Sequence, residues 1–411
     1  MERQNMNRPN FKIFIAILLT VLCVFALSGC VNLLEDYQES ITDHQIRTPV
    51  RPPTEQDSVS DYNEFVAAVL RFILDHETNK QLLFYHDGDD IDSELERAQS
   101  DILNHHPIGA FAVSELSFSA TRIVTHFEID IEIEYKRTKE QLDSIVTVSS
   151  ERFLQSQLLD IMGVYGEEAI FRSTLNVSEE TVTNLVKESY YQNPHKIVML
   201  PIVMVETFPE EGVDRIYMVR FGYTESRSML LRYSEILTEY IRRSAGLAIG
   251  ETESEILLST VGGLMESITF NEGVARALPT HGTQNLAVTA FGALFRGNAV
   301  GEGFAMAFKA IADELGFDCY VVLGYYDDMV HAWNIVSLYG DYYHIDVAMC
   351  IAKGLEFAFL KTDTDLLEMG YSWDRANTAS CEGEFTLEDI PNRDDIINPG
   401  NNDNQGGEAT P

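Results

Sequence analysis

An imidazole held beside a carboxylate can take and return a proton, because the carboxylate fixes the ring's tautomer and orientation. Two short motifs supply such a pair here, His331-Ala332-Trp333-Asn334 and Tyr342-Tyr343-His344-Ile345-Asp346-Val347. The pattern predicts strands over 332–338 and 342–347, joined by a hairpin at Tyr339-Gly340-Asp341. His331 at the start of one strand and Asp346 late in the next can then meet across an antiparallel pair. A further carboxylate, Glu302, sits in Val300-Gly301-Glu302-Gly303-Phe304-Ala305. Its simplest role is that of a first-turn acid facing the positive end of a helix dipole.

The elements that must position these residues follow from periodicity. Ala305, Phe308, Ala312 and Leu315 recur at three- and four-residue spacing, which predicts a helix over 305–315 that Gly316 stops. Tyr320-Val321-Val322-Leu323-Gly324 reads as a buried strand, and Asp327-Asp328 as a turn. Cys319 lies beside that strand and reads as a small apolar core residue. Cys350 falls past the end of the second strand, pointing away from His331. Cys381 lies in a polar segment, where pairing with Cys350 is open to it in an oxidising compartment, although no spacing rule decides this.

Taken together, these motifs resemble a bacterial transglutaminase-like domain, a papain-related fold built around Cys, His and Asp. Bacterial members read Val-Cys-Glu-Gly-Tyr-Ala in the first block, with the cysteine as nucleophile; this chain has Gly301 there. A second departure is Val347-Ala348-Met349-Cys350 in place of Val-Thr-Trp-Asp. The likeness extends about a hundred residues, from Thr289-Ala290-Phe291-Gly292-Ala293-Leu294 to Gly370-Tyr371-Ser372-Trp373-Asp374. It implies an α+β fold in which a helix packs on an antiparallel sheet. It also implies that His331 and Asp346 are the remnant of a triad whose nucleophile is gone, with Glu302, Phe304 and Trp333 lining a cleft. Glycine can form no acyl-enzyme, and catalysis without a nucleophile falls by orders of magnitude.

At the other end, Arg3, Arg8 and Lys12 precede the apolar run 14–22, and the segment closes on Leu27-Ser28-Gly29-Cys30. That is the build of a secretory signal peptide over 1–29, and Leu-Ser-Gly-Cys resembles the bacterial lipobox. Acylation at Cys30 is expected, with the mature chain held to a membrane outside the cytoplasm. Cys23 belongs to the discarded segment. Residues 30–57, with Pro49, Pro52 and Pro53, read as a spacer.

The chain carries 29 basic and 65 acidic residues, a formal net charge of −36. Nucleic acid and anionic lipid headgroups would be repelled by such a surface. No Gly-rich phosphate loop and no convincing metal-ligand spacing occurs, so neither cofactor nor metal is expected; His105-His106 before Pro107 reads as a turn.

Between spacer and triad-like region lies an apparent repeat of about ninety residues, in which Pro107 corresponds to Pro194 and Tyr135 to Tyr223. Each copy opens with an amphipathic helix, 65–74 and 153–162. Two small α/β modules are expected, 58–147 and 148–236, ahead of the transglutaminase-like part at 237–390 and a disordered tail from 391 to 411. In the first module Phe127, Ile129, Ile131, Ile133 and Tyr135 alternate with acidic residues, giving one packed face and one wet, acidic face. Residues 230–266 read as helical with a break near Gly250.

Two functions are compatible with these residues. One is a lipid-anchored envelope protein whose triad-like domain binds or scaffolds an envelope peptide, protein or peptidoglycan without cutting it. The other is a working thiol hydrolase or transamidase with a non-standard nucleophile.

Overall fold

The computed structural model describes residues 58–85 and 90–397. The expected signal peptide, the lipidation site Cys30 and the whole of the spacer lie outside them. Everything described belongs to one unit that begins at Asp57.

The first module starts where the Asp61 carboxylate accepts the Glu64 backbone N–H and so caps a helix. This helix, α1 (Tyr62–Leu74), buries Phe65, Ala68, Val69, Phe72 and Ile73, one stripe at helical spacing. The stripe packs on a four-stranded sheet of order β1-β2-β4-β3, made of Ser58–Val59, Asn79–Phe84, Phe127–Tyr135 and Val113–Arg122 as β1, β2, β4 and β3. Along β4, Phe127, Ile129, Ile131 and Ile133 are buried while Asp130, Glu132 and Glu134 are exposed. Each such side chain contributes about 1.5–3 kcal/mol when fully buried.

The second module repeats this plan. Helix α2 (Glu151–Gly163), capped by Ser150, packs on β5 (Val146–Thr147), β6 (Glu168–Ser173), β7 (Ile202–Phe208) and β8 (Arg215–Gly222), in the order β5-β6-β8-β7. Helix α3 (Glu179–Gln192) follows β6. The modules are not independent, however. Ile170, Ile216 and Met218 join the core of the first, whereas Phe171, Tyr217, Val219 and Phe221 face their own. A strand buried on both faces shows no alternation, which is why β8 reads as an unbroken apolar run from Ile216 to Val219.

Helix α4 (Arg227–Leu247) puts Leu230, Tyr233, Leu237 and Ile241 into the second module's core, together with Phe291 and Met306 of the following region. The boundary expected between residues 236 and 237 therefore falls inside a helix whose buried residues on either side of it, Tyr233 and Leu237, share one core. Helix α5 (Glu253–Ser267) comes next, after a break at which Gly250 takes φ 151°.

The third region is built around α7 (Gly301–Leu315), reached through the short strand β9 (Thr269–Phe270), α6 (Ala290–Arg296) and β10 (Asn298–Ala299), which pairs in parallel with β9. Helix α7 is buried on all sides from Gly301 to Ala312, not on a single stripe, and ends at Gly316 with φ 87°. On one side it packs against a sheet of order β13-β12-β11-β14, comprising β11 (Cys319–Tyr326), β12 (Met329–Leu338), β13 (Asp341–Ile345) and β14 (Tyr371–Trp373). Two tight hairpins hold the register, with positive φ at Asp327 and Asp328 and again at Tyr339 and Gly340. The molecule is thus α+β, a helix on an antiparallel sheet preceded by two similar α/β layers.

Two expectations need correction. The strand predicted over 342–347 stops at Ile345, because Asp346 caps a helix, α8 (Val347–Lys353), with its own carboxylate. Order also persists beyond 390. A short helix, α9 (Arg393–Ile397), lays Ile396 and Ile397 on the core, and Asn392 donates to Glu255 at 3.0 Å. The pairing left open between Cys350 and Cys381 is not made; they and Cys319 are buried free thiols. Among the described residues no helix is long and apolar enough to cross a membrane.

Candidate functional site

Three elements converge at the N-terminus of α7. Strand β12 carries His331, the cap of α8 is Asp346, and α7 itself opens with Gly301. His331 Nε2 lies 2.5 Å from Asp346 Oδ2, so the sequence-predicted base and acid do meet. Their side chains are 11% and 3% exposed. The same carboxylate oxygen accepts the Tyr371 hydroxyl at 2.8 Å, and Oδ1 accepts the Met349 N–H at 3.0 Å. An ionised carboxylate only accepts, so Nε2 carries the ring's proton and Nδ1 faces the other way.

What Nδ1 faces is Gly301. A Cβ built on Gly301 would stand 2.6 Å from His331 Nδ1 and 2.7 Å from Cε1, closer than carbon and ring atoms tolerate. The imidazole has closed onto the backbone where a nucleophile's side chain would begin. The base is oriented as a triad requires, and opposite it there is only a glycine.

Burial and the Asp346 charge push the Tyr371 phenol far above its ordinary range, so it is a donor at every physiological pH. Tyr371 lies in a motif the sequence had marked as a closing segment, yet nothing in one sequence identified its hydroxyl as a partner of Asp346.

Glu302 does more than face the helix dipole. It is 4% exposed, accepts the Tyr191 hydroxyl at 2.8 Å, and accepts the Gly282 N–H at 3.2 and 3.3 Å. His281 Nδ1 lies 3.8 Å from Oε2, and its Nε2 meets the Gly324 carbonyl at 3.0 Å. A carboxylate at the start of α7 thereby ties together the second module, the loop before α6 and strand β11. The involvement of Tyr191, 111 residues away in sequence, carries no local signal.

Phe304 and Trp333, expected to line a cleft, are core residues at 1% exposure each. Their side chains are too apolar and too well enclosed to stay at a rim. Trp333 donates Nε1–H to His344 Nδ1 at 3.0 Å. Since an indole N–H can only donate, Nδ1 of His344 is an acceptor and its proton sits on Nε2, which faces Asp363 Oδ1 at 2.9 Å. Burial holds the His344 pKa below its ordinary 6.5 against the opposing pull of Asp363. His344, Asp363 and Cys381 bring ligand-type atoms within 4.8 Å of one another. The chemistry does not suit a metal: a ligating histidine donates its second N–H, whereas this ring receives one and has its proton on the inward nitrogen.

None of the three described thiols is activated. Burial pushes Cys319 and Cys350 well above the usual thiol range, and burial together with Asp363 pushes Cys381 up to about 12. A nucleophilic cysteine needs the opposite shift.

No family model matches the chain, and no curated protein does. Among solved structures, a transglutaminase crystal structure aligns over 66% of this chain and 74% of its own, at 12% identity and a TM-score of 0.27. A candidate cysteine protease from Cytophaga hutchinsonii aligns over 44% and 70%, at 13% identity and a TM-score of 0.24. Likenesses so distant say nothing about activity, which must be argued from His331, Asp346 and Gly301 themselves.

Proposed function

We propose that this chain is a lipid-anchored extracytoplasmic protein whose transglutaminase-like region binds or scaffolds an envelope component and does not catalyse acyl transfer. The carrying observation is the His331 imidazole packed 2.6 Å from the Cβ position of Gly301. A thiolate route needs a sulfur between ring and carbonyl. Here even the first carbon of such a side chain has no room unless the ring moves. The retained His331–Asp346 pair then serves as a buried polar fastening between β12 and α8. Anchoring through Cys30 rests on the lipobox-like sequence and on the acidic composition, which suits a solvated exported body.

The alternative reading, a thiol hydrolase or transamidase using another cysteine, has little in its favour, because the three candidate thiols are enclosed and shifted away from the thiolate. The deciding experiment compares the parent with Gly301→Cys on activated acyl esters and glutamine peptides. The expected result is no acyl-enzyme in the parent by intact mass. Turnover by the parent that disappears in His331→Ala would overturn the proposal.

A further inference from the structure

Strand β14 is too short for its neighbour. It pairs with β11 only at Gly324, Tyr325 and Tyr326, opposite Trp373, Ser372 and Tyr371. After Trp373 the chain turns away into a single helical turn at Arg375–Asn377. The first half of β11, Cys319 to Leu323, is left with β12 on one side and, among the described residues, no strand on the other.

The direction of its backbone groups follows from the ladder. Ser337 N–H donates to the Asp318 carbonyl, and Asp327 N–H donates to the Gly370 carbonyl. Alternation from these two points turns the N–H and C=O of Tyr320 and Val322 toward β12, and those of Val321 and Leu323 toward the β14 side. Neither Val321 nor Leu323 has a backbone partner there among the described residues.

A groove of about 840 Å³ runs along this half-strand, bounded by Lys187 and Tyr191 of α3 on one side and by residues 374–379 on the other. On its floor, Val322 and Ile335 share a sheet face with Tyr320 and Tyr342. Both phenols donate to Asp318, at 3.1 and 2.9 Å, which fixes the rings in place.

We propose that this lane receives an extended peptide, which continues the β14 side of the ladder by pairing with Val321 and Leu323. Two outward N–H and C=O pairs at strand spacing are the recognition chemistry of a polypeptide backbone. Side chains of a paired strand alternate between faces, so the residue opposite Val322 meets Ile335 and the two tyrosines and should be apolar. Its neighbours face the other way, toward α3, and should be small. This gives the binding reading a ligand class and a place, and it rests on that reading only in taking the protein to be a binder.

The probe is the N-acetylated, C-amidated peptide Ser-Ala-Leu-Ala-Ser, tested at millimolar concentration on the full-length chain by amide hydrogen exchange. Protection is expected at Val321 and Leu323, together with loss of binding when both alanines of the peptide are N-methylated. Val321→Pro removes an outward N–H without removing a ladder bond, and should weaken binding about tenfold while the fold survives. Equal binding of the N-methylated peptide, or no protection at these two amides, overturns the proposal. So does occupancy of the groove by a chito-oligosaccharide where the peptide fails, which would assign it to glycans. Protection that appears around Gly301 and His331 instead would sink the lane and leave the binder reading standing; binding nowhere would sink both.

Discussion

The Tyr191 hydroxyl donates to Glu302 Oε1 at 2.8 Å, joining the second module to the first turn of α7 across a buried interface. Among the described residues, removing that hydroxyl leaves a buried carboxylate with only the Gly282 N–H as a close donor. Tyr191→Phe should cost about 1–3 kcal/mol, and the double variant with Glu302→Gln should cost less than the sum of the singles. Urea unfolding of the four proteins checks this; strict additivity would mean that the pair is not coupled.

Packing at the triad-like site predicts an unusual cycle. Gly301→Ala places a methyl against the His331 ring and should destabilise by about 1–3 kcal/mol through overpacking. In a His331→Ala background the same change should be neutral or favourable by about 0.5–1 kcal/mol, since alanine suits a helix better than glycine. Thermal unfolding of the two pairs decides it, and an equal cost in both backgrounds would show that the ring is not the obstacle.

Acidification should weaken the fold through His344. Its folded pKa lies below the ordinary 6.5 because burial disfavours the cation. The unfolded chain therefore takes up a proton that the folded chain refuses, so stability is full above that value and declines as pH falls below it. His344→Gln can still accept from Trp333 and donate to Asp363 but cannot titrate. Its urea midpoint should fall less steeply between pH 7 and pH 5 than that of the parent. The slope is reduced and not abolished, because burial also lowers His106 and His195.

Thiol reactivity offers the plainest check. Cys319, Cys350 and Cys381 should label with iodoacetamide far more slowly than a free cysteine at neutral pH, and all three should react after unfolding. Fast labelling of any one in the native protein would reopen the enzyme reading.

Much of this was legible in the residues. The 305–316 periodicity, the Asp327-Asp328 turn and the alternation along β4 have local causes, namely side-chain spacing and backbone conformations that few residues adopt. The repeat was legible for the same reason, since each copy carries its own pattern. Other features were not. Phe304 and Trp333 looked like cleft residues and are core, because enclosure depends on what packs over them. Asp346 was read as a strand residue, whereas the carboxylate that orients His331 also caps α8.

The sequence by itself determined that a base, an acid and a helix start would be present, and that the residue at that start would have no side chain. That is a matter of covalent identity, which no packing can alter. Only the tertiary structure decided that the His331 ring would close onto Gly301, that Tyr371 would share Asp346, and that β14 would stop short of the first half of β11, leaving its outer side open. Each of these is set by contacts between segments distant in the chain, whose geometry depends on the assembled core.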